Sequence, residues 1–339
     1  MNIARAAGVL ALVALAGSAL TVSLAPDERY LPVERAVIAF GGARETTTIL
    51  LDDGGVIETD AEKLSAAVGR EEEGGSVEGV YGWELIGFDG ELARLRVWFS
   101  VNATAVLYEG REAAELAESR DFSFVRRVEI LSLDSVSARG KTVLLRGLFQ
   151  LGREEEILLD PSRGVIVDES GEPWGRFLLW IDPEGVPRSG WVTGVAIFNW
   201  TDGTEVVWNL SRLELKSPLR RGGLESSEVV IGAANLSLYE PGRVMVVPLL
   251  VLYDSETGAF LEAPSGYADD YLRQRLGIVL IRSAPKPGSR EFGLRLVEVK
   301  LTRVEGGAGE RLYRGLIPAF LVAALAALSL LLTRLRRGR

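Results

Sequence analysis

Residues 80–101, VYGWELIGFDGELARLRVWFSV, decide the class of the fold. Past Gly90 the apolar residues fall on every second position: Leu95, Val97, Phe99 and Val101 alternate with Arg94, Arg96, Trp98 and Ser100. A period of two sends neighbouring side chains to opposite faces of a strand, so one face is made for a core and the other for solvent. Asp89-Gly90 interrupts the run where a tight hairpin turn needs positive φ, which glycine adopts without a Cβ clash. The stretch therefore predicts two antiparallel strands joined by a short turn.

The same pattern recurs along the chain. A second hairpin spans residues 194–210 around Asp202-Gly203. As a two-residue turn it would set Ile197 opposite Trp208 and Phe198 opposite Val207, sending Asn199 and Asn209 to opposite faces. A third pairs residues 245–253 with 260–262 through Asp254-Ser255-Glu256-Thr257-Gly258. Helix formers replace β-branched residues only over 111–119, 268–276 and 58–68, the last with Thr59 or Asp60 as its cap. The expected fold is mainly β: antiparallel sheets, sandwich or barrel-like, with a few short helices. The body divides near residue 165 into halves 26–165 and 166–313, as two layers or subdomains.

The ends read differently. Residues 316–333 carry no charge, and a helix of that length covers about 27 Å, close to the hydrocarbon thickness of a bilayer. Arg334, Arg336, Arg337 and Arg339 follow it, so residues 334–339 are expected in the cytoplasm and the preceding body outside. Membrane lipid is thus the partner of this C-terminal helix. Its small residues Ala319, Ala323, Ala324 and Ala327 would also admit a neighbouring helix, as in an accessory subunit of a membrane complex. Residues 1–25, with Arg5 before an apolar run and Gly17, Ser18 and Ala19 as a small-residue site, read as a signal peptide or a retained N-terminal anchor.

Composition narrows the chemistry. The 339 residues include no Cys and no His, which excludes a thiol nucleophile, a Ser-His-Asp triad, and zinc or haem ligation by this chain. Residues 26–313 hold 47 acidic and 32 basic side chains, a net of -15, and such a surface argues against a nucleic-acid partner. Core burial must do the work that disulfides do in many exported domains.

Apart from Asn2, every asparagine begins an Asn-X-Ser/Thr triplet: Asn102-Ala103-Thr104, Asn199-Trp200-Thr201, Asn209-Leu210-Ser211 and Asn235-Leu236-Ser237. Four out of four arise by chance with a probability on the order of 10⁻⁴, so N-glycosylation of Asn102, Asn199, Asn209 and Asn235 is expected. The scarcity of other Asn and Gln suits heat adaptation. Together these features predict a thermophilic archaeal cell surface.

Acids are the abundant catalytic groups that remain. Glu84, Asp182, Glu205 and Asp254 lie near apolar runs and are candidates for a carboxylate-dependent glycoside hydrolase, but no spacing selects a pair. Asp52-Asp53, Asp269-Asp270 and the Asp254, Glu256, Thr257 turn offer oxygen ligands without forming a calcium loop. Glu71-Glu72-Glu73 and Glu154-Glu155-Glu156 read as solvated charge runs. Of the seven tryptophans, Trp98 and Trp200 are expected outside the core. No catalytic residue, cofactor or metal site is assigned.

Two segments, Gly175-Arg176-Phe177-Leu178-Leu179-Trp180-Ile181-Asp182-Pro183 and Tyr253-Asp254-Ser255-Glu256-Thr257-Gly258 with Phe260-Leu261-Glu262, resemble parts of uncharacterised archaeal membrane-anchored, β-rich surface proteins. The resemblance implies an architecture of leader, β ectodomain and membrane helix. The expected role is a non-catalytic binding or structural component of the envelope, with an envelope protein or glycan as partner.

Overall fold

The computed structural model describes residues 31–198, 205–240, 243–286 and 293–302, and there the alternation becomes antiparallel sheet. The strands are β1 (Val33–Gly41), β2 (Glu45–Leu51), β3 (Gly55–Glu58), β4 (Val77–Asp89), β5 (Leu92–Glu109), β6 (Glu129–Arg139), β7 (Thr142–Asp160), β8 (Val165–Val167), β9 (Pro173–Arg176), β10 (Val192–Phe198), β11 (Glu205–Arg221), β12 (Leu224–Glu240), β13 (Arg243–Asp254), β14 (Phe260–Gly266), β15 (Ile278–Pro285) and β16 (Leu294–Leu301). Three short helices accompany them among the described residues: α1 (Ala61–Val68), α2 (Arg111–Glu118) and α3 (Asp270–Leu276). Asp60 caps α1, its carboxylate accepting from the Glu62 and Lys63 N–H groups.

The β4–β5 hairpin follows its sequence pattern. Leu95, Val97, Phe99 and Val101 are buried, Arg94 and Arg96 are exposed, and Trp98 and Ser100 are half-buried. The turn falls one residue later than Asp89-Gly90 suggests: Asp89 pairs with Leu92, leaving Gly90, at φ 61°, and Glu91 to make the connection. The third hairpin also forms, with Tyr253 opposite Phe260 and Leu252 opposite Glu262. The second is corrected by two residues. Val195, not Ile197, faces Trp208, and Phe198 faces Glu205 instead of Val207. Asn199, expected on the face opposite Asn209, lies outside the described residues.

Strand pairing runs β10-β11-β12-β13-β14-β16-β1-β4-β5-β3-β2-β15, and β7 adds to the free edge of β5. The long β5 makes this possible, because one of its edges serves β4 over residues 92–103 and β3 over 106–108. β15 then returns to the sheet through a bridge between Tyr267 and Ile281, each donating its N–H to the other's carbonyl at 2.8 Å. The pairing closes a circuit of eight strands, β1-β4-β5-β3-β2-β15-β14-β16, from which β13, β12, β11 and β10 extend as a meander. Residue 165 opens β8, and strands from both sides of it are hydrogen-bonded to one another: β1 with β16 and β2 with β15. Residues 31–301 form one compact unit.

The circuit encloses an aromatic cluster. Phe40 stacks on Phe99 at 5.8 Å between centroids, Tyr81 meets Phe99 at 5.6 Å and Tyr271 at 6.0 Å, and Phe260 meets Tyr267 at 5.5 Å. Edge-to-face and offset contacts of this kind add about 0.5–1.5 kcal/mol each beyond burial. Glycines on neighbouring strands make room for large rings. A Cβ on Gly79 would overlap the Phe40 ring, and one on Gly232 would sit 2.1 Å from Nε1 of the fully buried Trp208.

No helix among the described residues is long and apolar enough to cross a membrane. The expected leader at 1–25, membrane helix at 316–333 and basic tail at 334–339 lie outside the described residues. The chain enters and leaves the body at one place, since Val33 at the start of β1 pairs with Leu301 at the end of β16.

Because Trp208 cannot withdraw without vacating the core, Gly232→Ala should destabilise the protein by about 1–3 kcal/mol, the usual cost of overpacking. Chemical denaturation of the two proteins side by side measures the difference.

Candidate functional site

The sequons are the feature that the fold organises most clearly. Asn102 stands in the middle of β5 between Val101 and Ala103, which are 0% and 2% exposed, and its own side chain is open to solvent. Asn209 on β11 is half-buried between the buried Trp208 and Leu210, and its Oδ1 accepts from the Thr193 hydroxyl at 3.3 Å. Asn235 on β12 is exposed between the buried Ala234 and Leu236. The register places Asn209 opposite Ala233, two residues before Asn235, so these two asparagines share the outer face of the meander. Strand parity positions all three: a shift of one residue would turn each amide into the core.

The candidate acids are scattered. Glu84 is half-buried on β4, Asp182 is exposed in the segment after β9, and Glu205 opens β11. Asp254 is buried but holds a turn: it accepts from the Ser226 hydroxyl at 2.6 Å and from the N–H and hydroxyl of Thr257 at 2.8 and 2.7 Å. Asp52 makes a two-pronged ion pair with Arg127, and Asp53 accepts the N–H groups of Gly55, Arg126 and Arg127. These partners occupy the oxygens that a cation would need, and no metal-ligating group of three acids occurs among the described residues.

The two charge runs are not simply solvated. The middle acid of each turns inward, Glu155 by the alternation of β7 and Glu72 in the irregular segment before β4, leaving Glu72 with 7% and Glu155 with 17% of its side chain exposed. Burial pushes the Glu72 carboxyl upward, but hydrogen bonds and charge from Arg70 and Arg146 outweigh it and hold the group below the usual carboxylate range. Glu155 pairs with Arg153 and Arg275.

Asp269 is the most perturbed acid. It caps α3 by accepting the Leu272 N–H at 2.8 Å, and its other oxygen accepts the hydroxyls of Tyr81 and Tyr267, both at 3.0 Å. Complete burial raises its pKa to about 7, against the lowering effect of those hydrogen bonds, and the neighbouring Asp270 pushes in the same upward direction as burial. Asp270 accepts the backbone N–H of Arg176 at 2.9 Å. Alternating polarity gave no sign of this arrangement, although a Ser/Thr/Asp/Asn residue ahead of a short helical run is a capping signal.

The two segments that carry the resemblance pack against each other. Trp180 bridges to Ala259 and donates its indole N–H to the Thr257 carbonyl at 2.9 Å, and the Tyr253 hydroxyl donates to the Leu178 carbonyl at 3.0 Å. Arg212 fastens both turns, donating to the carbonyls of Pro183, Val186 and Ser255 while paired with Glu228. Beside this junction lies a cleft of about 170 Å³ lined by Phe177, Trp180, Val192 and Leu210, with Asp182 its one carboxylate. A groove of about 640 Å³ between the end of α2 and β6 includes Glu118, Asp134 and Arg120. Trp83, Trp180 and Trp208 are core residues, as expected of most tryptophans here. Trp98 is half-buried under the Arg35 guanidinium at 5.2 Å, and Trp200 lies outside the described residues. The outlier is Trp191, which is 61% exposed.

No family model matches the chain, and no curated protein or solved structure matches it.

The folded pKa of Asp269 lies above its unfolded value near 3.9, so its contribution to stability is complete at low pH and lost as pH rises toward 7. Asp269→Asn keeps an acceptor for Leu272 and presents an amide to the two phenols. The stability of the variant relative to wild type should therefore climb between pH 4.5 and 8, by an amount on the order of a few kcal/mol. Thermal unfolding of both proteins across that range reads the slope.

Proposed function

We propose that this chain is a membrane-moored, N-glycosylated β protein of the cell exterior, acting as a non-catalytic binding or structural component of the envelope. One observation carries the proposal: each described sequon occupies a strand position whose amide reaches solvent while both chain neighbours are buried. An oligosaccharide can be accepted there without disturbing the core. The adjacency of Val33 and Leu301 suits the same reading, since a leader or anchor before β1 and a spanning helix after β16 would start from one corner of the body. The resemblance to archaeal membrane-anchored surface proteins points in this direction, and the barrel-like circuit with its meander is the ectodomain that it implies. Membrane lipid would hold the C-terminal helix, and an envelope protein or glycan would be met by the outer faces of the sheets.

Two of the four acids singled out in the sequence favour this non-catalytic role over a glycosidase, whose rival pair would be Glu118 and Asp134 in the groove beside α2. Asp254 has its oxygens taken by a turn, and Asp182 stands without a second carboxylate in its cleft.

Protease digestion of intact cells, combined with mass analysis of the mature N-terminus and of glycopeptides, tests orientation, leader and sugars together. The expected result is digestion of the body from outside, protection of residues 334–339, and sugar on Asn102, Asn199, Asn209 and Asn235. Full-length chain in the soluble cytosolic fraction with bare amides at all four positions would overturn the proposal.

A further inference from the structure

Single exposed apolar side chains are ordinary on protein surfaces, but here their positions repeat. The four most exposed large apolar residues among those described are Trp191 at 61%, Val246 at 59%, and Leu131 and Leu148 at 54% each. Three of them occupy the same place relative to a sequon. In an antiparallel pair, when an asparagine faces residue j, the hydroxyl residue of its triplet, two positions on, faces j−2 on the same side of the sheet. Asn235 faces Pro248, and Ser237 faces Val246. Asn102 faces Gln150, and two residues back on β7 stands Leu148, opposite Thr104 at the bulge between Ala103 and Ala105. Asn209 faces Thr193, and two residues back stands Trp191, level with Ser211, whose hydroxyl donates to the Gly190 carbonyl at 2.9 Å. Leu131 belongs to the same set, being the bulged residue of β6 that precedes Ser132, the partner of Leu148.

On these grounds, and resting on the reading of the sequons as occupied, we infer that the sugar linked to each of Asn102, Asn209 and Asn235 folds back over the apolar side chain diagonally across the strand pair: Leu148, Trp191 and Val246 respectively. Diagonal neighbours on one face of a sheet are separated by roughly 7–8 Å, within reach of a pyranose ring carried on an asparagine amide. The C–H face of such a ring is apolar and suits the flat indole of Trp191 and the branched side chains of Leu148 and Val246. The oligosaccharides thus complete the apolar surface instead of projecting freely, and their polar edges replace it toward water.

The test is hydroxyl-radical footprinting of the full-length chain isolated with its sugars, alongside Asn102→Gln, Asn209→Gln and Asn235→Gln, with glycopeptide mass spectrometry establishing occupancy in each. Covering one face of a side chain removes roughly half its accessible surface, so loss of the sugar should raise labelling about twofold. The increase should fall on Leu148 only in Asn102→Gln, on Trp191 only in Asn209→Gln and on Val246 only in Asn235→Gln. Ile86 and Val297, exposed but distant in register from any described sequon, should not change. Removal of sugar from the folded wild-type protein gives the same comparison without a substitution. Occupied asparagines with unchanged labelling would overturn the inference and leave the glycosylation reading standing; unmodified asparagines would overturn both.

Discussion

The body depends on β5 being hydrogen-bonded along both edges. Over 92–103 it holds β4 and over 106–108 it holds β3, while β7 follows its other edge from Ala93 to Glu109. A strand with two neighbours on one edge must bend between them, and the bulge opposite Thr104 lies in that interval. From this bend the sheet can curl until β15 meets β14 at the Tyr267–Ile281 bridge. The inward residues of β5 then face an enclosed space that Phe40, Tyr81, Phe99, Phe260, Tyr267 and Tyr271 fill.

Inside that aromatic filling sits one carboxyl group with three hydrogen bonds, and the arrangement explains its location. Tyr81 comes from β4 and Tyr267 from just past β14, and each needs an acceptor once its hydroxyl is buried. Asp269 supplies both acceptors with one oxygen and starts α3 with the other. An amide in its place would offer one acceptor oxygen instead of two, so the carboxyl marks a place where hydrogen bonding has been met at an electrostatic cost.

Local periodicity made much of this visible beforehand. The alternation of residues 92–101, the Asp254–Gly258 turn and the cap of α1 are all features of a few adjacent residues, and each took the expected form. Features that depend on distant partners were not legible. The β10–β11 register, two residues away from the one an Asp202-Gly203 turn would set, is one of them. Glu72 and Glu155 look like members of solvated runs until Arg146 and Arg275 are brought to them from elsewhere in the chain. The openness of Trp191 was likewise hidden, because a tryptophan among strand residues carries no mark of which face it takes.

The pairing of Val33 with Leu301 has a mechanical consequence. Tension drawn between the two flanks would load the β1–β16 ladder from its open end, breaking its hydrogen bonds one after another instead of shearing them together. Such a joint resists little when its ends are pulled apart. When both ends are held together, however, no separation arises between them and the ladder is spared that load.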